Sequence, residues 1–329
     1  MTGEQIKLEV DGLKKYFRSS TGMLSNIVKQ EPPIRAVDGV SFNIKEGESF
    51  GFAGESGCGK TTTGKACIRL YEPTAGTITF DGEDISETTG GELKELREEL
   101  QIIQQDPFES LNPRFTVFDW VREPLKIHGI GNREEQIEKV YQTLAEVNLR
   151  PPHTFVDKYP SDLSGGERQR VGIARALVLE PSFILADEPA SMLDVSIRAG
   201  ILELFERLQR ERGITFMFIS HDLSLLRHTC DRIAIMYLGK IVEKGPTERI
   251  INEPKHPYTK ALVAAVPSTD PTVETDQLEI TGEVPDPKNV PYGCRFAPRC
   301  PEAHDLCLTG EPPMFESEGR DVRCVLYEE

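Results

Sequence analysis

The chain has 329 residues, with 54 acidic side chains against 38 Lys and Arg and a formal net charge of −16 at pH 7. That length suits one large domain and a smaller one, and that charge disfavours non-specific nucleic-acid binding, which needs Lys and Arg to neutralise phosphates. No run approaches the ~18 apolar residues of a membrane span, and MTGEQIKLEV passes straight into a strand pattern without a signal segment, so a cytoplasmic chain is expected, reaching a membrane only through a partner.

Residues 6–17 and 36–53 read as strands, separated by a polar surface loop, Arg18 to Ile34, that ends in Pro32-Pro33. Glu48 to Ala53 is the short buried strand at the end of the second stretch, and Lys60 to Leu70 reads as a helix. Between them, Gly54-Glu55-Ser56-Gly57-Cys58-Gly59-Lys60-Thr61 fits G-x-x-x-x-G-K-[ST] in its required strand–loop–helix setting. Loop amides are expected to wrap the β-phosphate of a nucleotide, and Lys60 to reach the β- and γ-phosphates. Thr61 would place its hydroxyl on Mg²⁺, and Thr62 is assigned to the same site. Cys58 belongs to the site through its backbone, since this loop works through amides. The motif occurs once, so the chain carries one nucleotide-binding domain.

Residues 77–85 read as a strand and turn, and Glu92 to Leu100 as a helix. Gln105 follows, an amide within reach of Mg²⁺ or an attacking water if a site forms around it. Helical periodicity covers Phe118 to His128, Glu134 to Val147 and 164–178. The last of these opens on Ser164-Gly165-Gly166-Glu167. Two glycines let a backbone approach a phosphate closely, a serine hydroxyl can bond its oxygen, and a helix amino end favours an anion. Phe183 to Asp187 is an apolar strand ending in Asp187-Glu188. Carboxylates at the C-terminal end of a buried strand mark the ligand edge of an α/β sheet. Asp187 is placed to hold Mg²⁺, and Glu188 to act as general base toward water. Helix 197–211, strand 215–220, His221, helix 223–228 and strand 232–237 complete the alternation, and His221 stands at a strand end where it can meet a γ-phosphate.

Beyond Gly245, Pro246 to Ile251 and His256 to Leu262 read as two short helices, and Pro267 to Asp276 as a linker. Cys294, Cys300, Cys307 and Cys324 then follow a C-x5-C-x6-C-x16-C spacing. Four thiolates can hold a [4Fe–4S] cluster or a Zn²⁺ ion, and the spacing alone also allows no metal. Arg295, Arg299 and Arg323 flank the thiols and are positioned to offset their charge.

Taken together, Lys60, Gln105, Ser164, Asp187/Glu188, Asp194 and His221 stand in the order of the Walker A, Q-loop, signature, Walker B, D-loop and H-loop of an ABC ATPase, which the chain resembles from about residue 6 to residue 245. Lys60 and Ser164 lie 104 positions apart, room for a small helical subdomain and not for a long coiled-coil insertion. The resemblance implies an α/β, P-loop NTPase (RecA-like) core over 1–106 and 179–245, an inserted helical signature subdomain over 107–178, and an accessory region over 246–329. It also implies an aromatic stacked on adenine; alignment of Leu13-Lys-Lys-Tyr-Phe17 favours Phe17, with Tyr16 second. Glu167 stands where many members have Gln, and Met192 where Ala is commoner.

His256-Pro-Tyr-Thr-Lys-Ala-Leu262 and Gly293-Cys-Arg-Phe-Ala-Pro-Arg-Cys-Pro301 are similar to the C-terminal extension of oligopeptide/dipeptide (and nickel) ABC importer ATPases. The long loop before Ala36-Val-Asp-Gly39 and the run Gln105 to Pro113 fit that subfamily too. Some members carry an iron–sulfur cluster on matching cysteines, which favours [4Fe–4S] over zinc. The resemblance implies an ATP-hydrolysing, Mg²⁺-dependent subunit at the cytoplasmic face of the membrane. Its implied partners are a second ATPase subunit, two permeases and, indirectly, an external peptide-binding protein, with no nucleic acid. The alternatives are a non-transport ABC ATPase of DNA repair or translation, uptake of nickel or another small solute, or a scaffold that binds ATP without using it.

Overall fold

A computed structural model describes residues 5–18, 32–105, 113–266, 282 and 285–328. The polar loop through 19–31, the run 106–112 and the linker 267–276 lie outside the described residues. The chain divides into two compact units, one of Met1–Gln5, Lys45–Ser49 and Glu87–Ile219, the other of Ile6–Ile44, Phe50–Ser86 and Ser220–Glu329.

The first unit is built on three parallel strands, Leu100–Ile103, Phe183–Asp187 and Thr215–Ile219. The latter two are buried at every position, as strands covered on both faces must be. The first was not anticipated: four residues, two of them half-buried, carry too little pattern to separate from the helix Gly90–Glu99 before them. The helices Val117–His128, Arg133–Glu146 and Gly165–Leu177 lie within about a residue of the expected ones. Each begins at a capping box, Thr116 with Asp119, Asn132 with Glu135, and Ser164 with Glu167, in which side chains satisfy the orphan backbone donors of the first turn. Their inner faces meet over Trp120, Val121, Leu125, Val140, Leu144, Val171 and Ala174, all buried.

In the second unit one sheet runs Ile34–Lys45, Ile6–Phe17, Ala75–Phe80, Glu83–Asp84. Elsewhere in the unit Ser49–Ala53 pairs in parallel with Arg232–Tyr237. That strand turns back antiparallel into Lys240–Pro246 through Leu238 and Gly239, both at positive φ (43° and 79°), the geometry of a two-residue hairpin turn. Two short strands near the C-terminus, Phe315–Glu316 and Asp321–Val322, extend this sheet, with Val322 opposite Glu243. The accessory region is therefore stitched into the sheet that bears the phosphate loop, which a two-residue strand cannot announce in sequence.

Candidate nucleotide site and cysteine cavity

The phosphate loop leaves the buried strand Ser49–Ala53 and enters the helix Lys60–Cys67. Glycine is required at two points. Gly54 has φ 146° and a Cβ there would lie 2.2 Å from the Met236 carbonyl oxygen; at Gly59, φ 109°, it would lie 2.2 Å from that of Ala36. The helix start has no side-chain cap and no acidic residue in its first turn, so its amino end is electrostatically open to an anion. Lys60 is buried, and its Nζ donates to the carbonyls of Gly54 (2.7 Å) and Glu55 (3.0 Å). Ser56 and Gly57 form the exposed crest of the loop, with Thr61 and Thr62 half-buried behind it. Cys58 is buried and its thiol pushed up by burial, so at neutral pH it is a packing group while its carbonyl accepts from Gly239 N (2.8 Å).

In the same unit, Ser220 N donates to Phe52 O (3.1 Å), which sets exposed His221 beside the end of the strand that carries the loop. Of the two aromatic candidates, Tyr16 donates its hydroxyl to Asp38 and is pushed up to about 12 by burial. Phe17 is half-buried, edge-on to Tyr71 at 5.7 Å, with Lys15 Nζ 5.3 Å from its centroid. Tyr16 is committed to a structural bond, and Phe17 keeps an apolar ring without one.

The remaining candidates belong to the first unit. Ser164 caps its helix and is exposed, as is Gly165. Gly166 packs so closely that a Cβ would lie 2.5 Å from Ile197 Cγ2. Glu167 accepts from Ser164 N (2.7 Å) and Ser164 Oγ (2.8 Å), and the backbone bond from Ser164 holds its carboxyl below the usual range. Glutamate thus serves the capping box in ionised form. Asp187 is buried at its strand end, and Glu188 is half-exposed in the left-handed region (φ 47°) with its N bonded to Ile219 O (2.9 Å). A non-glycine residue in that region is strained, and such strain gathers at functional positions. Gln105 is exposed just beyond the strand Leu100–Ile103.

The four accessory cysteines line one cavity with His256 and Phe296. Burial pushes Cys294 up, and Cys300 and Cys324 to about 11 each. Among the described residues no group of three or more His, Cys, Asp or Glu side chains is arranged to hold a single metal ion. The flanking arginines bond carboxylates and carbonyls rather than the thiols, while Cys294 lies near enough to Arg323 for their charges to attract. Buried Arg295 bonds Asp38 and the Leu238 carbonyl, Arg299 bonds Glu55, and Arg323 bonds Glu311 and the carbonyls of Ile241 and Pro312. Carboxylates and carbonyls of the folded unit compete better for a guanidinium than protonated thiols do.

Sequence reasoning missed Asp38 and Tyr258 and assigned Arg299 to the thiols rather than to Glu55, because each acts through a partner far along the chain. His256 is buried and held down to about 3 by that burial. Its Nδ1 accepts from Tyr258 N (3.1 Å), capping the helix Pro257–Ala264. The motif that begins His256-Pro-Tyr258 is thus a capped helix start that presents the Tyr258 hydroxyl to Glu55 N (2.9 Å).

Residues 37–191 match the ABC transporter family, and residues 242–307 match the oligopeptide/dipeptide transporter C-terminal region. The oligopeptide transport ATP-binding protein AppF of Bacillus subtilis is 46% identical over 324 residues, 97% of each chain. Among solved structures, a dimeric ATP-binding cassette in a post-hydrolysis state with ADP and Pi superposes with a TM-score of 0.64 at 29% identity, covering 73% of this chain and 98% of that one. CbiO1 of Clostridium perfringens, part of an ABC transporter complex, also gives 0.64, at 27% identity over 76% and 92%. The fold is the α/β, P-loop ABC cassette and the activity is ATP hydrolysis: the chain belongs to the ATP-binding proteins of the ABC transporter family, with the C-terminal region of its oligopeptide/dipeptide branch.

Proposed function

We propose that this chain is the ATP-hydrolysing subunit of a peptide importer, held at the cytoplasmic face of the membrane by two permease subunits that receive peptide from an external binding protein. The observation that carries this is the match running through both the cassette and the extension at 46% identity to an oligopeptide transport protein. Among the described residues no helix is long and apolar enough to cross a membrane. The core (1–106, 179–245), helical subdomain (107–178) and extension (246–329) are its working parts.

In this reading Lys60 and the amides of Gly54–Thr62 bind the phosphates of ATP, and Phe17 stacks on adenine. Thr61, Asp187 and Gln105 hold Mg²⁺, which neutralises developing phosphate charge. Glu188 takes a proton from water, and His221 orients the γ-phosphate. Ser164 and Gly165 are exposed at a helix amino end, with Gly166 buried against Ile197; together the three address ATP held by a second ATPase subunit, so that nucleotide draws two subunits together. The test is reconstitution with the two permeases in vesicles. Peptide-loaded binding protein is expected to stimulate hydrolysis and uptake of labelled peptide, and stimulation by nickel with none by peptide would refute the cargo.

The same reading assigns the cysteine cavity to a [4Fe–4S] cluster. Four cysteines around one cavity are the donor set such a cluster takes, although among the described residues no three His, Cys, Asp or Glu side chains are already drawn together to hold a metal ion. The group would serve as a structural staple with four thiolate ligands. Anaerobically purified chain should be brown with about four irons; colourless, iron-free protein would refute it.

A further inference from the structure

The segment Cys294–Cys300 faces two ways. Its cysteines line the cavity, while Arg299, one residue before Cys300, reaches the phosphate loop. Arg299 Nη1 and Nη2 donate to Glu55 Oε2 (2.8 Å) and Oε1 (3.0 Å), a bidentate pair with the arginine side chain 8% exposed. Tyr258 secures the same residue by accepting from Glu55 N. Tyr237, Tyr258 and Phe296 pack ring to ring behind the pair, with centroids 4.7–5.3 Å apart. Arg299 lies 5.8 Å from the Tyr237 centroid. Glu55 is the second residue of the loop, and its carbonyl accepts from both Lys60 Nζ (3.0 Å) and Cys58 N (3.3 Å). Both ends of Glu55 are therefore engaged: its main chain shapes the phosphate cradle and its side chain is held by the extension.

We propose that Arg299 is a positioning residue of the ATP site: acting through Glu55, the cysteine-bearing extension holds the phosphate loop in its binding shape. The extension is then part of the nucleotide-binding apparatus. A planar guanidinium fork on a carboxylate fixes orientation as well as distance, which a lysine cannot do. Arg299 is shielded and Glu55 half-buried beside the exposed crest at Ser56 and Gly57, so the pair acts on the loop from its covered side. The inference rests on Gly54–Thr61 being the phosphate loop, and Lys60→Ala separates the two ideas.

The experiment is titration of full-length wild type, Arg299→Gln, Arg299→Lys, Glu55→Gln and the Glu55→Gln/Arg299→Gln double variant with ATP and ADP. Steady-state hydrolysis and nucleotide-free melting are measured alongside. Arg299→Gln should weaken ATP and ADP on the order of tenfold, raising KM by the same factor while kcat at saturating ATP stays within about threefold, the pattern of lost uniform binding. The double variant should be no weaker than Glu55→Gln alone, because the two side chains act through each other. Arg299→Lys, which keeps the charge and loses the fork, should fall between, and it carries the test if Arg299→Gln fails to fold. Nucleotide affinity within about twofold of wild type in the folded arginine variants, or losses that multiply in the double variant, would overturn the proposal. If Lys60→Ala also binds ATP normally, the phosphate-loop reading itself fails; if it loses ATP while the Arg299 variants do not, only the positioning role fails.

Discussion

Replacing Asp38 by Asn probes the other arm of the extension. Asp38 accepts from the Tyr16 hydroxyl and pairs with Arg295, and the two ionic side chains are 10% and 7% exposed. Asparagine keeps a hydrogen-bonding oxygen for Tyr16 but strands the Arg295 charge in the interior. Removing one partner of a buried pair costs about 3–5 kcal/mol, because the other is left uncompensated. With about 2–4 °C per kcal/mol for domains of 150–250 residues, Tm should fall by roughly 6–20 °C. The Asp38→Asn/Arg295→Gln double variant should recover most of that loss, since it removes both charges. Differential scanning calorimetry at matched pH and salt reads both. The pH dependence follows from the direction of the shift. Burial alone would raise the Asp38 carboxyl, but bonds from Tyr16 and Arg295 and the nearby charges of Lys240 and Arg295 bring it below 3.8. A depressed acid contributes its full stability above the unfolded pKa and loses it as pH falls through the folded one. The gap between wild type and Asp38→Asn should therefore be constant from neutral pH down to about 5 and close only at more acid pH. A Tm within about 2 °C of wild type, or a double variant as low as the sum of the singles, would refute the reasoning.

Glu188→Gln should bind ATP like wild type and lose turnover by about 10²–10⁴-fold, the usual worth of a general base; wild-type phosphate release would sink that assignment. Gly54→Ala forces a Cβ onto the Met236 carbonyl at 2.2 Å in a backbone region side chains avoid, so equilibrium titration should find ATP affinity lost and calorimetry a lower Tm. Glu167→Gln keeps the capping box geometry but removes the charge at the helix start, and should cost about 0.3–1 kcal/mol in urea unfolding; a rise in stability would contradict the ionised cap.

Much of the site was legible because its chemistry is local. Gly54 and Gly59 are dictated by a loop whose backbone passes too close to the Met236 and Ala36 carbonyls for a side chain, and the flanking buried strand and helix start are written in adjacent residues. Ser164 and Glu167 are three positions apart, as a capping box requires, and Asp187-Glu188 mark the end of an unbroken apolar strand. The four-residue strand Leu100–Ile103 and the C-terminal strand pair were not legible. Strands that short gain their stability from neighbours rather than from their own pattern.

The arginines show where sequence reasoning stops. Arg295 and Arg299 sit beside Cys294 and Cys300, and proximity along the chain suggested that their charges serve the thiols. Folding brings Asp38 and Glu55, 257 and 244 positions away, within bonding distance instead, and carboxylates outcompete protonated sulfur for a guanidinium. Motif order determined that this is an ABC-family ATPase, because phosphate chemistry demands particular residues at short range. Only the tertiary structure decided what grips the phosphate loop, because an ion pair is chosen by distance in space and by exclusion of water, and neither is encoded in spacing along the chain.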